Sequence, residues 1–226
     1  MPNAFITYSI ILLSYSLFFF LVRVTQKENS CDLKAILTGK GSPGILLSKL
    51  IAGILLLGIG ITGVFLSRSF NEKILIPIVN NSALPAWILI AIAGLTGLFG
   101  AEKKLSASII NIQPLSFSFP LIFILLRTLF LIVYEIFFRG VMLFCMIEDF
   151  GIAVAVFMNL LLYVFIHWQS DKKERYGSVL MGLLLCFISI YYQNVWPAIA
   201  IHVMLALSNE IGILITNRSL IKTLRL

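Results

Sequence analysis

Long apolar runs recur from one end of this chain to the other, each closed by a short polar stretch. The first, AFITYSIILLSYSLFFFLV, is about as long as a bilayer is thick. Few folds are open to such a chain. In lipid every backbone N–H and C=O must be bonded internally, so each run becomes a helix or a strand of a closed barrel. Barrel strands alternate apolar and polar residues over about ten positions, and that alternation is missing here. The expected fold class is all-α, a polytopic transmembrane bundle of about seven spans. With 60% hydrophobic and only 12% charged residues, the chain lies outside the range of water-soluble domains.

The spans are expected at Ala4–Val22, Leu50–Ser67, Leu84–Ala101 and Leu121–Met146, then from Ile152 through His167, at Ser178–Tyr192 and at Pro197–Thr216. Pro197 suits a first helical turn, and Trp196, Tyr191 and Tyr192 suit a membrane interface. The N-terminal segment lacks a basic leader and a small-residue cleavage site, so it reads as an uncleaved span rather than a signal peptide.

Formal net charge is +7. No basic patch is interleaved with aromatics, which argues against a nucleic-acid partner. With seven spans, thirteen of the seventeen lysines and arginines fall on one side of the membrane, among them Arg23, Lys34, Lys103, Lys172 and Arg218. Only Arg68 and Lys73 fall on the other. The expected orientation is N-terminus outside and C-terminus cytoplasmic. Residues 24–45 form the longest loop, which is expected to lie along the cytoplasmic surface. Cys31, Cys145 and Cys186 fit no metal spacing and read as small hydrophobes.

Between Lys104 and Glu148 the only charged residues are Arg127, Glu135 and Arg139. A charge at the bilayer centre costs about 2.5–3.5 kcal/mol on insertion scales, so such residues face the bundle interior and find partners. Glu135 and Arg139 are one helical turn apart and can simply neutralise each other. The two histidines make the set more suggestive. His167 lies in LLYVFIHW and His202 in WPAIAIHVMLALSNE, with Asn159 two turns before the first and Asn209 two turns after the second. A carboxylate in a dry cavity can take a proton from water. One histidine can orient that water or hold a metal, and another can donate to a developing oxyanion. These are the parts of a water-activating hydrolase. His167 reaches the same depth as Glu135 and His202 only if the fifth helix continues through QSDKKER, as the good helix formers there allow.

At these residues the chain resembles the CPBP family, also called Abi, of CAAX-protease and bacteriocin-processing membrane proteins. Its motifs are Glu-Glu-x-x-x-Arg, usually followed by Gly; Phe-x-x-x-His; and His-x-x-x-Asn or Asp. Here they read Tyr134-Glu135-Ile136-Phe137-Phe138-Arg139-Gly140, Tyr163-Val164-Phe165-Ile166-His167 and His202-Val203-Met204-Leu205-Ala206. The spacings of 32 and 35 residues, with the segment MGLLLCFISIYYQNVWPAIAIH, resemble bacterial members. The likeness covers residues 120 to 215, within a core at 111–226 that follows N-terminal helices and a cytoplasmic loop at 1–110.

The resemblance implies an intramembrane endopeptidase of a bacterial plasma membrane, acting on a membrane-associated peptide or protein. Glu135 would be the base, His167 its partner, His202 the oxyanion donor, and Arg139 would fix Glu135. Tyr134 replaces the first glutamate of the motif, and a tyrosine hydroxyl is a poor base at neutral pH. Ala206 stands where an amide or acid is expected, and Asn209 is one turn beyond it. These departures keep a second reading open: a family member without peptidase chemistry, acting as a membrane scaffold or bacteriocin-immunity-type binding protein. A transporter ranks last, because the first three spans offer almost no polar pathway. The sequence establishes no cofactor, and zinc is the one candidate. Glu135, His167 and His202 can ligate zinc or work without metal, and the sequence leaves the two open.

Overall fold

The computed structural model describes residues 2–27, 33–37, 39–69, 71–76, 84–106, 115, 118–168 and 172–223. Cys31 and the three C-terminal residues, Arg225 among them, lie outside these. Among the described residues the chain is helical, without strands. Its helices are α1 (Pro2–Lys27), α2 (Leu33–Leu37), α3 (Pro43–Ser67), α4 (Leu84–Ser106), α5 (Phe119–Glu135), α6 (Leu143–Phe150), α7 (Ile152–Ile166), α8 (Lys172–Tyr192) and α9 (Trp196–Thr223). A short 3₁₀ turn covers Glu72–Leu75. A π-helical segment, Ile136–Met142, joins α5 to α6 without a break.

Five helical stretches are long and apolar enough to cross a bilayer: Ala4–Thr25, Pro43–Ser67, Phe119–Phe150, Glu174–Tyr192 and Trp196–Ile215. Two shorter apolar helices, Pro85–Gly100 and Ile152–Ile166, complete the seven segments expected from hydropathy. Phe5, Leu66 and Leu180 stand exposed, as lipid-facing side chains do. This is an integral membrane protein.

The chain divides into two compact units. The first takes residues 1–23, 53–79 and 132–199. In it α1 and α3 pack closely because α3 offers glycine: a Cβ on Gly60 would lie 2.7 Å from Ser14 Oγ, and one on Gly63 would lie 2.8 Å from Ile10. Thr7 Oγ1 and Ser67 Oγ share a hydrogen bond of 2.9 Å between the same two helices. At this end Arg68 reaches Glu148 at 2.7 Å and Asp149 at 2.8 Å, and the Tyr8 hydroxyl donates to Asp149 at 2.6 Å. The hydrogen bond that Arg68 donates to Asp149 pushes its guanidinium further up from its already high range. Gly151 turns the chain from α6 into α7 at φ 80°, a left-handed conformation that glycine adopts at little cost.

The carbonyls at the end of the 3₁₀ turn find their donors in the turn between α8 and α9. Val195 N–H bonds Ile74 O at 3.1 Å, Trp196 Nε1–H bonds Leu75 O at 2.6 Å, and Asn194 Nδ2 bonds Ile76 O at 2.8 Å. Asn194 Oδ1 accepts from Trp196 N–H at 2.9 Å and so starts α9, with Pro197 in its first turn.

The second unit takes residues 24–52, 80–131 and 200–226. The loop expected along the cytoplasmic surface is partly something else. Its Leu33, Ile36 and Leu37 recur at helical spacing and bury against Leu46, Leu50, Phe119, Phe123 and Ile213. Apolar burial therefore folds a turn of helix where polar neighbours suggested surface. Elsewhere in this unit α4 meets α9 at glycine: a Cβ on Gly97 would stand 2.5 Å from Leu205 O. Asn209 Nδ2 donates to Gly97 O at 3.1 Å, and Arg127 Nε donates to Glu210 at 2.9 Å.

Candidate active site

The opening motif sits where the helix changes its winding. Glu135 ends α5, and Arg139 lies in the following π segment. There the Leu143 N–H reaches back five residues to Phe138 O, instead of the usual four. Both charged side chains are wholly buried, and Arg139 Nη1 stands 3.4 Å from Glu135 Oε2. The expected pairing of these two residues is present. At 3.4 Å it is longer than a good charge-assisted hydrogen bond.

Arg139 finds its second neighbour on α7. Its Cζ lies 4.1 Å over the centre of the Tyr163 ring and 5.8 Å over that of Phe138. A desolvated cation over an aromatic face gains about 2 kcal/mol. The Tyr163 ring in turn lies 4.8 Å from the His167 ring, and Tyr163 O accepts from His167 Nδ1 at 3.0 Å. A carbonyl can only accept, so Nδ1 carries a proton and donates it to this bond. Glu135, Arg139, Tyr163 and His167 thus form a run of successive contacts within one unit.

The helix carrying His167 departs from expectation. α7 ends at Ile166, and His167 is its cap residue with φ −88° and ψ 4°. His167 N–H and Trp168 N–H each bond the carbonyl three residues back, which tightens the last turn. α7 has therefore ended before QSDKKER, whose first three residues, 169–171, lie outside the described residues. Its last carbonyls need donors, and His167 supplies one from its backbone and one from its ring. Lys172 and the residues after it belong to α8.

Tyr134, at the position of the missing glutamate, is buried. Its ring lies 4.5 Å from that of Phe138 and 6.0 Å from those of Phe18 and Tyr163. It thickens the aromatic wall on which Arg139 rests. His202 belongs to the second unit, on α9, where it is partly buried. Asn209, which could have replaced the amide missing at Ala206, gives its Nδ2 to the Gly97 carbonyl. Among the described residues no group of three His, Cys, Asp or Glu is arranged to hold a metal ion.

Three features escaped sequence reasoning: the π segment, the stacking of Arg139 on Tyr163, and the environment of Asn159. Asn159 was conspicuous as an amide in an apolar run. Nothing in the spacing said that it would bond the backbone at Phe138.

No curated protein and no solved structure gives a significant match to the chain. Residues 116–208 do match a family's sequence model, that of the Rce1-like family, described as type II CAAX prenyl endopeptidase. That stretch contains all three motifs, and the match is consistent with their likeness to the CPBP family.

Proposed function

We propose that the chain is an intramembrane endopeptidase, CAAX-protease-like, that hydrolyses a peptide bond of a membrane-associated substrate with a glutamate-activated water. The observation that supports it most is the wholly buried Glu135–Arg139 pair, which continues through Tyr163 to His167 under a sequence match to Rce1-like endopeptidases. In this reading Glu135 takes a proton from water as the water attacks the scissile carbonyl. The proton is then delivered to the leaving amine. His167 orients the water through Nε2. Arg139 holds Glu135 in place.

The step as written uses carboxylate and imidazole alone. Chelator-treated protein should then retain its activity. One zinc per chain, with cleavage lost on chelation, would instead contradict this metal-free reading. The protein is read as a plasma-membrane protein of a bacterium, with its N-terminus outside and C-terminus cytoplasmic.

The test is cleavage of a membrane-anchored peptide, prenylated and unprenylated, by purified protein in lipid vesicles. Cleavage by the wild type and none by Glu135→Gln supports the reading. A second reading rests on the aromatic packing of Tyr134 and on the bond from Asn209 to Gly97. Both remove polar groups that the family's chemistry would use. It takes the chain as a scaffold or immunity-type binding protein, and a biological effect insensitive to Glu135→Gln and His167→Ala would favour it.

A further inference from the structure

A side chain of α7 bonds the backbone of the π segment from outside. Asn159 on α7 is wholly buried, and its Nδ2 donates to Phe138 O at 2.7 Å. The same oxygen receives the Leu143 N–H. On its other side Asn159 Oδ1 accepts from Sγ of Cys186 on α8 at 3.3 Å. Cys186 is also wholly buried. The two bonds fix which way the amide faces, because a carbonyl oxygen must meet N–H and the thiol must meet oxygen.

The position of this bond matters more than its strength. The Phe138 carbonyl and the Arg139 nitrogen share one rigid peptide plane. Whatever holds Phe138 O therefore sets the direction in which the Arg139 side chain leaves the backbone. Arg139 must lie over Tyr163 and reach Glu135 at once, from a helix wound off its usual register. An ordinary packing bond between helices would have no reason to sit on that particular carbonyl.

We propose that Asn159 is a positioning residue: it holds the Phe138–Arg139 peptide plane in the π winding, and Cys186 holds the amide. Arg139 is thereby kept on Tyr163 and against Glu135. The kinetic part of this proposal rests on the endopeptidase reading above. The structural part does not.

The test uses the full chain, wild type and three variants: Asn159→Leu, which removes both bonds; Asn159→Asp, which keeps the shape and loses the N–H donor; and Cys186→Ala. In vesicles with a membrane-anchored peptide, both Asn159 variants should lower kcat by about 100-fold, the scale of an ångström-sized misplacement, with KM little changed. Cys186→Ala should act in the same direction, more weakly. In detergent, amide hydrogen exchange across residues 136–143 should quicken in both Asn159 variants, with α9 unchanged. If Asn159→Leu does not fold, Asn159→Asp and Cys186→Ala decide. Wild-type kcat in a folded Asn159 variant, or unchanged exchange at 136–143, overturns the proposal. A wild type that cleaves nothing sinks the endopeptidase reading, and the exchange result still decides whether Asn159 holds the segment.

Discussion

Arg139 rests on Tyr163, its Cζ 4.1 Å above the ring centre, with both residues buried. An arginine so placed has exchanged water for an aromatic face and one carboxylate. Tyr163→Phe keeps the face, whereas Tyr163→Leu removes it. Thermal unfolding in detergent should show little change for the first and a loss of about 2 kcal/mol or more for the second. Equal losses for both would mean that the hydroxyl, not the ring, is what matters.

The Glu135–Arg139 pair allows stability and activity to be separated. Glu135→Leu alone leaves a buried guanidinium without its carboxylate and should destabilise by about 3–5 kcal/mol. Adding Arg139→Met removes both charges, and apolar replacements of a buried pair are often neutral or stabilising. The double variant should therefore melt near the wild type and cleave nothing. A double variant that melts as low as Glu135→Leu would show that the pair is not energetically coupled.

In the second unit Arg127 and Glu210 form a less enclosed pair, with side chains 26% and 16% exposed. Glu210→Leu should cost about 2 kcal/mol, below the range for a fully enclosed pair. The exchanged variant, Arg127→Glu with Glu210→Arg, should recover part of that loss in the same unfolding assay. Neither residue belongs to the reacting set, so folded variants should keep wild-type cleavage.

The sequence made the spans legible because lipid imposes a strong rule: a helix must be long and apolar. All seven expected segments are apolar helices in the structure, though the apolar part of α4 and the whole of α7 are short. The pairing of Glu135 with Arg139 was legible for a similar reason, since two charges in an apolar run must find partners. The π winding was not. A helix whose residues are apolar on nearly every side has no periodic stripe from which a change of winding can be read. The end of α7 was missed because helix propensity favoured continuation through the charged stretch. The tightened turn at Val164–His167 and the ring bond from His167 to Tyr163 O decided otherwise. The small helix at Leu33–Leu37 escaped because its partners, Phe119 and Ile213 among them, are far away in sequence.

The central claim is that Glu135 activates water inside the membrane. The most direct measurement is cleavage of a membrane-anchored prenylated peptide by purified protein in ¹⁸O-water, with the new carboxyl terminus weighed by mass spectrometry. The wild type should release a product bearing one solvent ¹⁸O. Glu135→Gln and His167→Ala, folded in the same vesicles, should release none. Undiminished, ¹⁸O-labelled product from Glu135→Gln would contradict the account.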